Sequence, residues 1–202
     1  MGLISAAKTI FDAGAMSAGG SMKFIKKLTA SSSATVSFVD GSGGVVLDDT
    51  YKEYLFTFNN IHPSADNVKF QFQTSTDSGS NYGVTATSTS FRGKHNEPGG
   101  STSFGYRTAY DLAQQTGFQT LSHQTGADAD QSIAGYLQLF NPNSTTYVKH
   151  FIARVNNMQS DDNTSDNYTA GYFNTTSAVD AIQFKMESGN IDAGDICLYG
   201  IA

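Results

Sequence analysis

The sequence predicts an all-β protein: an antiparallel two-sheet jelly-roll sandwich that follows a short N-terminal arm. Apolar and polar residues alternate with a period of two over much of the chain after residue 22, as they do in half-buried strands. Turns rich in glycine, asparagine and serine separate these segments, with little helical pattern between them. A parallel sheet would need crossovers of about a dozen residues or more, so an antiparallel arrangement is favoured.

The length of the chain predicts one domain. Its 202 residues are enough for one sizeable core, and all-β sandwiches of this length commonly fold as a unit. The change from helical to strand-like spacing near residue 22 divides the chain into an arm, residues 1–21, and a sandwich domain, residues 22–202.

The arm is predicted to be a short helix or an extended segment that makes an assembly contact. Its apolar residues recur at helical spacing over residues 3–16, and residues 17–21 then end the pattern with glycine and serine. A helix of about 14 residues is marginal in water unless its apolar face is buried. Packing on its own domain and disorder are the alternatives, and docking to another chain is favoured. The residues assigned to this contact are Leu3, Ile4, Ala7, Ile10 and Phe11.

Three segments of the sandwich domain alternate cleanly, and each predicts a strand with one buried face. In the second and third segments charged and amide residues fall between the apolar ones, as expected if the opposite face meets water. The apolar positions are Tyr54, Phe56 and Phe58; Val68, Phe70 and Phe72; and Ile182, Phe184 and Met186.

Weaker alternation predicts nine further strands, which brings the total to about a dozen. The last one would place Ile196, Leu198 and Ile201 in a strand near the end of the chain, and Cys197 within it indicates a buried structural thiol. The weaker segments are 22–30, 34–40, 82–92, 103–111, 117–124, 132–140, 147–156, 167–174 and 195–201.

One segment also fits a helix. Ala109, Leu112 and Ala113 have helical spacing, and Gly117 stands where such a helix would end. A strand over 103–111 and a helix from about residue 108 therefore both remain open.

Charge and hydropathy exclude two classes of partner. The formal net charge is −6, and the densest basic group, Lys23, Lys26 and Lys27, is small, so we expect no nucleic-acid binding. No segment approaches the roughly 20 apolar residues of a membrane span, so no membrane insertion is expected. Lys8 and Asp12 interrupt the only apolar region near the N-terminus, which disfavours a signal peptide and favours synthesis in a cytoplasm.

Catalytic motifs give no support for an enzyme. The chain has no G-x-S-x-G elbow, no H-E-x-x-H helix and no phosphate-binding loop. Its four histidines are spread widely, without the close pair on one strand that a metal-binding sandwich usually shows. We therefore expect a non-enzymatic protein without a cofactor.

Calcium is a weaker alternative. Carboxylate and carbonyl oxygens are the ligands that Ca²⁺ prefers, and two polar loops supply several. Neither loop has the ligand spacing of an EF-hand, and solvated turn carboxylates are the favoured interpretation. The candidate ligands are Asp128 and Asp130 in the first loop, and Asp161, Asp162 and Asp166 in the second.

Two tyrosines are candidate glycan contacts. Tyr82 follows Asn81 and Tyr168 follows Asn167, so a ring that could stack on a sugar stands next to an amide that could bind its hydroxyl groups. The alternative is that both tyrosines simply begin strands.

Three segments, in their order along the chain, resemble small structural proteins of tailed bacteriophages, especially marine ones. They are Thr29–Phe38 (TASSSATVSF), Tyr51–Pro63 (YKEYLFTFNNIHP) and Gly194–Ile201 (GDICLYGI). The resemblance spans about residues 22 to 202 and leaves the arm outside.

This resemblance implies a jelly-roll protein of the virion, made in the host cytoplasm and attached to the tail or the head. A tail fibre or tail-associated adhesin is favoured, with a capsid decoration or head-fibre protein and a carbohydrate-binding module as alternatives. Its expected partners are other virion proteins, further copies of itself with a trimer favoured, and a glycan of the host surface. The matched positions imply structural roles and no functional residues.

Overall fold

The computed structural model describes residues 21–202, which form thirteen β-strands and no helix. The strands pair antiparallel in two sheets, so the predicted all-β, two-sheet sandwich is confirmed. The predicted arm contacts Leu3, Ile4, Ala7, Ile10 and Phe11 lie outside the described residues. The strands are β1 (Met22–Ser33), β2 (Val36–Val39), β3 (Glu53–Pro63), β4 (Val68–Ser75), β5 (Ala86–Asn96), β6 (Thr102–Tyr106), β7 (Ala113–Gln115), β8 (Gln119–Thr125), β9 (Ile133–Phe140), β10 (Lys149–Met158), β11 (Asn163–Phe173), β12 (Ala181–Met186) and β13 (Ile191–Ile201).

The two sheets differ in size. The large sheet has nine strands in the order β1-β13-β3-β9-β10-β11-β5-β6, with β7 also paired to β5. The small sheet has four, in the order β2-β12-β4-β8. The final strand, β13, lies between β1 and β3, and the thiol of Cys197 within it is buried, as predicted.

The strand pairs follow the order of a folded ribbon. The first strand pairs with the last, β1 with β13, in the large sheet, and the second pairs with the second-last, β2 with β12, in the small one. The next two pairs, β3 with β9 and β4 with β8, again alternate between the sheets. The remaining strands, β5 to β7 and β10 to β11, are insertions that widen the large sheet beyond β9. We call these five strands the extension.

Phenylalanines from β2, β3, β4 and β12 fill part of the space between the two sheets. We call this part of the sandwich the ribbon end. The ring of Phe184 on β12 is buried among five others, with ring centroids 5.3 to 6.4 Å away. Most of these pairs are edge-to-face or tilted, which aromatic rings prefer to a face-to-face sandwich. The surrounding rings are Phe38, Phe56, Phe58, Phe70 and Phe72.

Where the extension meets β8, polar side chains share this layer with buried apolar residues such as Phe151 and Val155. Asn157 and Asn167, on neighbouring strands, are both buried, and Asn167 Nδ2 donates to Asn157 Oδ1 at 2.9 Å. Asn157 Nδ2 in turn donates to Thr125 Oγ1 at 3.1 Å and to the His123 carbonyl at 3.2 Å. Burying an amide costs free energy unless it is hydrogen-bonded, so this network allows polar side chains to be buried there.

A buried lysine holds the loop that precedes β10. The ammonium group of Lys149 donates to the backbone carbonyls of Ser144, Tyr147 and Thr175, the last two at 2.9 and 3.2 Å. Burial lowers the pKa of this group. Three carbonyl acceptors replace the water that the charge loses, which fixes the loop against the start of β10.

The segment after β6 does not form the helix that was one of its two interpretations. Residues 108–110 make a turn, closed by the bond from Tyr110 N to the Arg107 carbonyl at 3.0 Å, and β7 follows. Leu112 is buried, and its backbone N donates to Ser88 Oγ at 2.9 Å. Hydrogen bonds to β5 therefore take the place of those that the backbone of this segment would have made within a helix.

Candidate functional site

The candidate site lies on the outer face of the large sheet, which points away from the small sheet. Residues directly opposite in neighbouring strands share a face, so the register of β9, β10, β11, β5 and β6 sets up one line of side chains. We call this line the aromatic row. Its members, in order across the sheet, are Tyr136, Arg154, Tyr168, Phe91 and Tyr106.

The ring of Tyr168 is enclosed within the row. Phe91 stacks on it at a centroid distance of 4.9 Å with the planes 6° apart. The guanidinium of Arg154 lies 5.0 Å from its centroid. Because β11 runs between β10 and β5, these neighbours flank Tyr168 from opposite sides. A sugar that stacked on Tyr168 would have to displace one of them.

An ion pair fixes Arg154. Its Nη2 donates to Asp166 Oδ2 at 2.8 Å and its Nε to Asp166 Oδ1 at 3.1 Å, a bidentate geometry. The hydrogen bonds to Asp166 raise the pKa of Arg154, and those from Arg154 lower the pKa of Asp166. The Tyr168 hydroxyl donates to the same carboxylate at 3.0 Å, which raises the pKa of that hydroxyl. The charges of the pair cancel, and its position is rigid.

Tyr136, at one end of the row, is 39% exposed and borders two depressions. One, of about 420 Å³, extends toward Arg154, Asn156 and Asp166. The other, of about 550 Å³, extends toward Leu55, Thr57 and Gln138 on β3 and β9. Small side chains next to Tyr136 leave this space open on two sides of its ring.

Gly135 brings β9 close to β10 at this point. Its φ is +154°, and a Cβ there would collide with the carbonyl oxygen of Arg154. A side chain at this position would therefore push the two strands apart. The glycine sets the spacing between Tyr136 and the ion pair.

The two predicted glycan contacts lie in different places. Tyr168 belongs to the aromatic row, whereas Tyr82 lies in the loop between β4 and β5, with its hydroxyl next to Gly79. Sequence reasoning missed Tyr136, Arg154 and Phe91. Alternation within 132–140 and 147–156 did place strands there, but the register that aligns them comes from pairing between distant segments.

Calcium binding by the two acidic loops stays a prediction. Asp161 pairs with Lys94 at 3.1 Å, and Asp162 accepts a bond from Gln131 at 3.3 Å. Asp166 faces Arg154, as described above. Over residues 21–202, no three His, Cys, Asp or Glu side chains gather in a way that could hold a metal. Asp128 and Asp130 are exposed in the loop before β9.

One histidine is deeply buried under the extension. His123 stacks on Tyr110 at 4.2 Å, and its Nε2 lies 2.8 Å from Arg92 Nη1. Burial, and then the charge of Arg92, lower the pKa of His123 to about 3. The imidazole is therefore neutral near pH 7, and it accepts the Arg92 hydrogen bond through Nε2. Its role in this geometry is packing and pairing.

Comparison with protein-family models, curated proteins and solved structures gave no match. In the described part of the chain, no helix is long and apolar enough to cross a membrane.

Proposed function

We propose that this protein is a non-enzymatic structural component of a bacteriophage particle, most simply a tail fibre or a tail-associated adhesin. In this proposal the sandwich is a jelly roll that displays the outer face of its large sheet. The observation that carries the proposal is that face, where the aromatic row and two depressions lie on a rigid sheet.

The strand order supports the jelly-roll assignment. A jelly roll is an eight-stranded, two-sheet fold made of two Greek keys, and viral capsid and lectin domains use it. The pairs β1–β13, β2–β12, β3–β9 and β4–β8 account for eight strands that alternate between the sheets, as in a rolled ribbon. Fold analogy alone does not assign a function.

The positions of the three phage-like segments also support the proposal. They cover the end of β1 with β2, the strand β3, and the strand β13. In the large sheet, β1, β13 and β3 are consecutive neighbours. The three quoted segments therefore lie on strands of the ribbon and outside the extension.

Attachment and oligomerisation are assigned to the arm in this proposal. Deletion of residues 2–20 should leave a folded β domain by circular dichroism but abolish assembly into the homo-oligomer, for which a trimer is favoured. Size-exclusion chromatography with light scattering measures the change. Loss of the β signal would show instead that the arm belongs to the core.

The location of the protein tests the proposed function directly. Purified phage particles should contain the chain by mass spectrometry, and gold-labelled antibody should place it on the tail. Labelling of the head would favour the capsid decoration alternative. Absence from purified particles would contradict the virion function.

A carbohydrate-binding module is the second candidate, and the depressions beside Tyr136 favour it. Both are shallow and open, and their linings combine the Tyr136 ring with polar side chains that could bind hydroxyl groups. This role agrees with an adhesin and also with an isolated lectin. Location on the particle separates the two.

A further inference from the structure

We propose that the outer face binds a neutral glycan at Tyr136, with a sugar ring stacked on the tyrosine and its hydroxyl groups bound by Arg154, Asp166 and Asn156. The inference deepens the proposed display function, on which it rests for its biological setting. It assigns the ligand class and the residues that recognise it.

Tyr136 is the ring of the row that borders the two depressions, whereas Tyr106, at the other end, is 52% exposed and donates its hydroxyl to Asp111. The ring of Tyr168 is covered by Phe91 and Arg154, whereas Tyr136 borders open space toward β3 and toward β10. Ala134 and Gly135 line both depressions with minimal side chains. A sugar ring, which is apolar on one face, could therefore reach Tyr136 without displacing a neighbour.

The polar groups beside Tyr136 keep hydrogen-bonding capacity for a ligand. Arg154 uses Nε and Nη2 for Asp166, which leaves the two N–H groups of Nη1. Asn156 donates through Nδ2 to Thr164 Oγ1 at 3.0 Å and to the Ser165 carbonyl at 3.2 Å, so Oδ1 remains able to accept. Donors and acceptors side by side suit neighbouring hydroxyl groups, each of which both donates and accepts.

The charge balance selects a neutral ligand. Arg154 is already paired bidentately with Asp166, so the site carries no uncompensated positive charge. An anionic sugar would have to compete with Asp166 for the guanidinium, next to a chain whose formal net charge is −6. A neutral sugar uses both members of the pair without breaking it. The pair is also held in place by Tyr168, which reduces the entropy lost on binding.

The first test is the binding of the full-length protein to a glycan array that carries neutral and sialylated oligosaccharides. Binding should appear on neutral glycans and should be no stronger on their sialylated forms. Titration calorimetry with the best neutral oligosaccharide then compares variants. We expect Tyr136→Ala and Arg154→Ala each to weaken binding by about tenfold or more, and Tyr136→Phe by less than about threefold, because the ring is kept.

Tyr147→Ala is the matched control. Tyr147 is 69% exposed in the loop before β10, and its side chain lies outside both depressions. Its replacement should leave the affinity unchanged. Thermal melting of every variant shows whether a loss of binding reflects unfolding, and the exposed Arg154 supplies an independent variant if Tyr136→Ala proves unstable.

Three results would overturn the inference. They are absence of binding to every neutral glycan on the array, unchanged affinity in folded Tyr136→Ala, and loss of self-association rather than of glycan binding in Tyr136→Ala, measured by sedimentation. The last would make this face a subunit interface. Glycan binding by a protein that is absent from particles would contradict only the proposed virion function, and presence on particles without glycan binding would contradict only the site.

Discussion

The two ends of the sandwich are packed by different chemistry. At the ribbon end, Phe184 and its five aromatic neighbours form an apolar core. Under the extension, a hydrogen-bonded network that includes Asn157 and Asn167 lies beside buried apolar residues such as Phe151 and Val155. Apolar packing is non-directional, whereas a buried amide tolerates only the arrangement that satisfies it. We therefore expect single substitutions to cost more among the phenylalanines than in the polar network, which fixes the arrangement of the side chains that it joins.

The largest expected effect is at the ribbon end. Phe184→Ala should reduce the free energy of unfolding by about 3–5 kcal/mol, because it removes a buried ring and leaves a cavity among the other phenylalanines. Urea denaturation measures the loss. Ile152→Ala is the control, since Ile152 is 48% exposed on the outer face and should change stability by less than about 0.5 kcal/mol. Similar losses in both variants would contradict the apolar core described here.

A smaller effect is expected in the polar network. Asn157→Ala should cost about 1–3 kcal/mol, because it removes the buried hydrogen bonds that Asn157 makes with Asn167, Thr125 and the His123 carbonyl. The double variant with Asn167→Ala should cost less than the sum of the single changes, since both remove the same bond. Additive losses would show that the two amides act independently and that the network does not set the register.

The pH dependence of stability separates the two ends further. The folded-state pKa of His123 is about 3, below the usual value of about 6.5. Between these values the unfolded chain binds a proton that the folded protein does not. Stability should therefore fall as pH decreases from about 6.5 toward 3, by up to about 1.4 kcal/mol per pH unit from this group.

Urea denaturation between about pH 7 and pH 4.5 tests this dependence above the range in which most carboxylates titrate. His123→Gln keeps an acceptor for Arg92 and removes the titration, so its stability should vary less with pH than that of the unsubstituted protein. Equal slopes for the two proteins would contradict the buried neutral imidazole.

The smallest effect on stability is expected on the outer face. Arg154→Ala removes an ion pair whose side chains are 53% and 31% exposed, and such pairs contribute about 0–1 kcal/mol. The same change should weaken glycan binding strongly, as described above. A loss of stability as large as that of Phe184→Ala would show that the outer face belongs to the structural core.

Local alternation was sufficient to predict the ribbon end. Phe70 and Phe184 alternate with polar residues, and both face the space between the sheets. On β11 the usual correspondence is reversed, because Asn167 and Thr169 point inward while Tyr168 points outward. Hydrophobic periodicity assigns the aromatic residue of such a strand to the core, so the pattern alone could not reveal the inner network.

The candidate site could be predicted only in part from the sequence, for a different reason. Tyr168 was singled out because an amide precedes it, but its partners Arg154 and Phe91 lie on other strands, 14 and 77 positions away along the chain. Those contacts depend on the register between β10, β11 and β5, which long-range pairing sets. Pairing of β7 with β5 likewise produces a turn and a strand where residues 108–115 fit a helix.

The central proposal is that the sandwich displays the outer face of its large sheet, with Tyr136 on β9 and Arg154 on β10, as a binding surface on a virus particle. A cryo-electron microscopy map of purified particles, at a resolution that distinguishes strands, tests this claim most directly. We predict that the map contains this sandwich, with Tyr136 and Arg154 on the side that faces solvent. A map without the protein, or with that face buried against a neighbouring subunit, would contradict it.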